Sequence, residues 1–213
     1  MRTTSSLRLY RLTPALLSAV FVLSGCWGGT EPTRYYVNPS ADLSAIGRVA
    51  IVELNNESAY PQIGPDVMES LYQAVQKKQL FGLIRVKKTD PAWRSLQLEV
   101  DAKYSLEQLS AIHRTLKCNA VVIGTITEYQ PYPHLTLGLR LRLINLDSAE
   151  LLWALEQVWD TSDKTIDKRI RDYFNAQIRP GYEPLRQELV ILSSLKFVKF
   201  VAYEVAETLE PIN

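Results

Sequence analysis

Leu135-Thr136-Leu137-Gly138-Leu139-Arg140-Leu141-Arg142-Leu143 is the stretch whose reading decides the fold. Its leucines recur at every second position, and a period of two places successive side chains on opposite faces of a strand. The five leucines therefore form one apolar face, with Thr136, Gly138, Arg140 and Arg142 on the other. Leaving those leucines in water would forfeit roughly 1.5–3 kcal/mol for each one, so a second layer must cover them. Asp147-Ser148 turns the chain, and residues 151–159 return as a partner strand. A three-residue loop, Asp147-Ser148-Ala149, pairs Leu143 with Trp153, Leu141 with Leu155 and Arg140 with Glu156. A two-residue loop would set Arg142 against Trp153 and mix the faces. The three-residue loop is expected, with an Ala or Ser asked to sit near the left-handed region. On that register Arg140, Arg142 and Glu156 form a charged strip on the outer face, a candidate surface for a partner. Trp153 and Trp159 fall on the inner face with Leu151 and Leu155.

The elements before the hairpin extend the sheet. Residues 120–129 begin with Val121-Val122-Ile123, a continuous apolar run that marks a strand covered on both faces. The corner Pro131-Tyr132-Pro133-His134 joins it to the leucine strand. Ser105-Leu106-Glu107-Gln108 is a capping box, with Tyr104 and Leu109 placed as a hydrophobic staple. Leu106, Leu109, Ile112 and Leu116 line one face of that helix. Arg48-Val49-Ala50-Ile51-Val52-Glu53-Leu54 is a β-branched first strand ended by Asn55-Asn56. Gly64-Pro65 opens a helix whose stripe is Val67, Leu71, Ala74 and Val75. Residues 83–86 form a second strand. After the hairpin come a helix near 163–175, the breakers Pro180, Gly181 and Pro184, and a final amphipathic helix near 195–209. That last helix is expected to bury Leu195, Val198, Val201, Ala202 and Val205. The order β-α-β-α-β-β-β predicts an α/β (α+β) fold: a mixed sheet of about five strands with packed helices and a C-terminal amphipathic helix. Right-handed crossovers can join its first three strands.

The amino terminus says where such a domain would work. Arg2, Arg8 and Arg11 precede an apolar run, residues 12–23, too short to span a bilayer as a stable helix, which takes about 20 residues. Leu23-Ser24-Gly25-Cys26 closes that run as a lipobox, where a bacterial cell cleaves before the cysteine and attaches lipid to it. The expected organisation is a signal peptide over 1–25, a lipidated Cys26 with a flexible tether over 26–45, and a single periplasm-type domain over 46–213. The domain would end in a C-terminal helical extension. Within the tether, Arg34-Tyr35-Tyr36 has two homes, on the domain or on a partner, beside the plain tether. Trp27 is not the Asp that retains lipoproteins at the inner membrane in well-studied systems, which points to the outer membrane, facing the periplasm. Without the three leader arginines, 21 basic side chains stand against 23 acidic ones. That balance excludes a phosphate-backbone partner such as nucleic acid, which wants a concentrated basic face. With Cys26 lipidated, Cys118 has no intramolecular partner and reads as a buried small hydrophobe.

Arg48-Val49-Ala50-Ile51-Val52, Cys118-Asn119-Ala120-Val121-Val122-Ile123-Gly124-Thr125-Ile126 and the hairpin from Leu141-Arg142-Leu143 to Leu152-Trp153 resemble a group of bacterial envelope lipoproteins. The group's fold is like the amino-terminal domain of the Tol translocation protein TolB. It includes the curli secretion lipoprotein, an exopolysaccharide-export lipoprotein and the lipoprotein activator of a penicillin-binding protein. The match spans roughly residues 47–160. The resemblance implies a lipid-anchored, non-catalytic module that binds another envelope protein, or itself, in secretion or cell-wall assembly. It carries no cofactor and no metal.

The residues themselves offer little chemistry. There is no G-x-S-x-G elbow, no P-loop, no G-x-G-x-x-G and no Cys/His cluster for zinc. Asp90, Asp101, Glu53 and Glu57 are scattered acids, and His113 sits on a helix facing solvent. Two alternatives stay open beside the docking module. One is an envelope hydrolase with a site near His134. The other is a small-ligand or glycan-binding lipoprotein using Trp93, Tyr129 and Tyr132 as exposed aromatics.

Overall fold

The computed structural model describes residues 33–96, 104–177 and 193–209. Seven strands form one open mixed sheet: β1 (Tyr35–Val37), β2 (Arg48–Val52), β3 (Asn55–Asn56), β4 (Gly82–Val86), β5 (Ala120–Gln130), β6 (Thr136–Asn145) and β7 (Leu151–Asp160). Their order is β1-β7-β6-β5-β2-β4, with β3 pairing β5 beyond the end of β2. β2 lies parallel to β4 and to β5, and β5-β6-β7-β1 continue antiparallel. The helices are α1 (Ile63–Lys78), α2 (Pro91–Arg94), α3 (Leu106–Leu116), α4 (Lys164–Gln177) and α5 (Ser194–Glu207).

Two apolar layers sandwich the sheet. On the inner side, α1, α4 and α5 close over all five leucines of the leucine strand together with Trp153, Leu155 and Trp159. On the outer side, Trp93 of α2 and Leu109 and Ile112 of α3 cover Ala50, Val52, Val121 and Ile123. β5 is thus buried from both sides, as its continuous apolar run requires. Cys118 is buried in the outer layer, and burial pushes its thiol up to about 11. That is the small hydrophobe expected of it. Two indoles anchor α5. Trp153 Nε1 donates to Thr208 Oγ1 at 3.1 Å, and Trp159 Nε1 donates to Glu204 at 2.7 Å.

The hairpin takes the expected register: Leu143 opposite Trp153, Leu141 opposite Leu155, Arg140 opposite Glu156. The turn is one residue longer than expected. The pairing slips between Leu143 and Ile144, so that Ile144 meets Leu151 and Asn145 N–H donates to Glu150 at 2.9 Å. Leu152 is the extra residue, and it buries in place of Leu151, which is exposed. Ala149 takes the left-handed conformation, φ 60. At Gly124 a Cβ would press into the Arg140 carbonyl and lie 2.7 Å from a Leu141 methyl, so β5 and β6 can approach there only without a side chain.

Other differences have local causes. The capping box forms, Gln108 N–H to Ser105 Oγ and Ser105 N–H to Gln108 Oε1, but Leu106 is exposed because the first turn of α3 overhangs the sheet. Ile63 opens α1, so Pro65 is its third residue and not its first. Leu195 is exposed, while Phe197 and Phe200 fill the core positions of α5. The chain also joins the sheet earlier than residue 46. Residues 35–37 pair with β7, and Leu43 is buried in a 3-10 turn (Leu43–Ala45) capped by Asp42. The stretch read as tether therefore contains an edge strand. Asp101, the breakers at 180–184, Cys26 and the leader lie outside the described residues.

Candidate functional site

Helices α2 and α3 lie over β2, β4 and β5, and beyond them the outer face of β6, β7 and β1 stands open. The sheet register builds this face in rows. Tyr36 lies beside Ala154, which lies beside Arg142. One row further along, Glu156 lies beside Arg140. Arg140, Arg142 and Glu156 are all exposed, as are Tyr36 and Val158. Arg140 Nε donates to Glu156 Oε1 at 3.0 Å, and its terminal nitrogen lies 3.0 Å from the same oxygen. An exposed pair of this kind contributes about 0–1 kcal/mol, so it orders the strip more than it stabilises the fold. Arg142 and Tyr36 complete a shallow groove of about 550 Å³ with Arg34.

The groove continues around the β1 edge. A second cavity, about 480 Å³, shares Arg34 and Glu156 with the first and reaches Asp163 and Arg169 of the α4 region. A third, about 340 Å³, lies on the helix side of β1 between Thr33, Tyr35 and Tyr203. Between the last two sits Glu204, whose side chain is 11% exposed. It accepts from Trp159 Nε1 and, at 3.3 Å, from Thr33 Oγ1, and lies 3.4 Å from Arg169. Burial, the largest effect, raises its carboxyl above the ordinary value. The Trp159 bond, the Arg169 charge and the Thr33 bond pull it back down. A buried carboxylate with one cation and two donors is a fastening. It holds the start of β1 against α5.

The other sequence candidates do not assemble. His134 is exposed on the corner and lines none of these cavities. His113 is partly exposed on α3, with Nδ1 3.2 Å from Asp147 of the hairpin turn. Glu53 accepts from the Lys88 amide and Asp90 from the Lys87 amide, so both are occupied in loop closure. The aromatics of the glycan-binding alternative do not form an exposed row. Trp93 and Tyr129 are buried in opposite layers, and of the three only Tyr132 is exposed. Among the described residues no group of three His, Cys, Asp or Glu could hold a metal ion. Arg140, Arg142 and Glu156 were legible in the sequence. Arg34-Tyr35-Tyr36 was readable as a segment that docks on the domain or on a partner, but its pairing with β7 was not, because a three-residue strand amid Gly, Pro and Ser has no periodicity to read.

The chain thus presents an open mixed sheet with helices on both faces of its parallel half and a bare antiparallel outer face. The chain is similar to solved structures of that kind. Among them are the lipoprotein GNA1162 of Neisseria meningitidis (16% identity, TM-score 0.45, covering 62% of this chain and 97% of that one) and the PelC dodecamer of Paraburkholderia phytofirmans (14%, 0.43, 60% and 80%). A third is the C-terminal domain of LpoB from Salmonella enterica (19%, 0.40, 53% and 82%). The resemblance to envelope lipoproteins read in the sequence thus has structural counterparts. The identities are too low and the overlaps too loose for any of them to carry its role over to this chain. No known family's sequence profile matches it, and no characterised protein matches it by sequence.

Proposed function

We propose that this chain is a lipid-anchored, non-catalytic protein of the cell envelope that docks another envelope protein, or a second copy of itself, on the outer face of β6, β7 and β1. The observation that carries the reading is the bare strip of Arg140, Arg142 and Glu156, extended by Tyr36 and recessed as a groove. Aromatic and arginine side chains in a recess are the usual anchors of protein interfaces. The lipobox at Cys26 is the expected attachment, and the separate placement of His113, His134, Glu53 and Asp90 in the fold supports a role without catalysis. The test is photocrosslinking of the full chain in native membranes. A crosslinker at position 142 or 36 captures a defined protein adduct, and one at the exposed Glu107 of α3 does not. Arg142→Glu, combined with the crosslinker at 36, lowers the yield about tenfold, as expected for a reversed charge at an interface. Equal adducts from all three positions, or none from 142 and 36, would dismiss the docking face.

A further inference from the structure

We infer that the Pro131-Tyr132-Pro133-His134 corner is a membrane-contacting tip, seated in the headgroup layer of the membrane that holds Cys26. The inference rests on the lipid anchor and adds the orientation of the domain.

Three strand ends lie level at one end of the sheet: Gln130 of β5 pairs with Thr136 of β6, which pairs with Asp160 of β7. The corner closes that end. β1 runs antiparallel to β7, so the chain before Tyr35 travels toward the same end. Thr33, fastened to Glu204, is the last described residue in that direction. Six residues lie between it and Cys26, a reach of at most about 25 Å for the seven steps. β6 is 10 residues long, about 33 Å from end to end, so the chain toward the anchor leaves the sheet nearer this end than the far one.

The tip has the chemistry of that boundary. Tyr132 is 81% exposed, more than any other large hydrophobic side chain described. A tyrosine presents an apolar ring and a hydroxyl, the combination enriched where hydrocarbon meets headgroups. Pro131 and Pro133 carry no amide N–H, which spares the tip two donors that would otherwise need water. The corner is braced. Gln130 Nε2 donates to the Tyr132 carbonyl at 2.9 Å, and Leu135 and Thr161 exchange two bonds of 3.0 Å across its base. The charges near this end are mostly acidic, with Glu128, Asp160 and Asp163 against Lys164. Contact therefore comes from partition of the ring into the interface, without attraction to anionic lipid, and does not weaken with salt.

The test uses the full lipidated chain in vesicles of phosphatidylethanolamine and phosphatidylglycerol. Tyr132→Cys and Ser148→Cys each offer one reactive thiol, because Cys118 is 1% exposed and Cys26 carries lipid. Ser148 lies in the turn at the opposite end of β6. Each variant takes the same environment-sensitive fluorophore, and the vesicles carry spin-labelled headgroups. The label at 132 is expected to be quenched at least threefold more than the label at 148, at low and high salt alike. Equal quenching, or more at 148, overturns the tip while leaving the anchor intact. A chain that fails to float with vesicles at all overturns both. Quenching at 132 that vanishes in high salt overturns the interfacial reading in favour of charge attraction.

Discussion

The charged pair was legible one residue at a time, and the buried one was not. Arg140 and Glu156 follow from a strict period of two and one choice of loop. Glu204, Arg169, Trp159 and Thr33 come together from 171 residues of separation, which no local pattern encodes. Their meeting has a signed consequence. Glu204's carboxyl is raised above its ordinary 4.5, mainly by burial. A raised acid holds its proton longer folded than unfolded, so its contribution is fully present below the ordinary value and is lost as pH climbs through the folded one. Glu204→Gln keeps an acceptor for Trp159 and removes the titration. Urea midpoints measured from about pH 4 to about pH 7 should show the native chain losing ground to the variant as pH rises. A constant difference would mean that the carboxyl is not perturbed.

At the scale of elements, strong local signals gave the right result. The capping box of α3, the double-sided strand β5 and the leucine strand β6 all stand where their patterns put them. What escaped was decided by pairing. β1 has only three residues, and it exists because β7 offers it an edge. The bulge at Leu152 swaps which leucine is buried without changing the alternation around it. β1 shields the hydrogen-bonding edge of β7, the kind of edge that templates unwanted association. Asn38 N–H donates to the Leu152 carbonyl at 2.8 Å, so by alternation Tyr36 bonds Ala154. Tyr36→Pro removes that donor and should cost roughly 1–2 kcal/mol. The Ala154 amide should exchange at least tenfold faster, with concentration-dependent dimers seen by size exclusion. Unchanged exchange at Ala154 would show that the arm does not depend on this bond.

For the molecule as a whole, the sequence supplies an expected address in the lipobox at Cys26, and the sheet shows which of its faces is free. Cys26→Ser should release the chain from the membrane fraction and end the incorporation of labelled palmitate, while the domain keeps its circular dichroism. Continued sedimentation with membranes would refute lipid attachment. The docking of α5 has a further consequence. Synthesis runs from the amino end, and every strand precedes this helix in the chain. The leucines of β6 and the indoles of Trp153 and Trp159 are covered in part by α5, a segment made after all of them. A growing chain therefore carries this surface only partly roofed until α5 has been made. Closure of this layer waits for α5, and the surface that the helix covers is open to unwanted contacts until it docks.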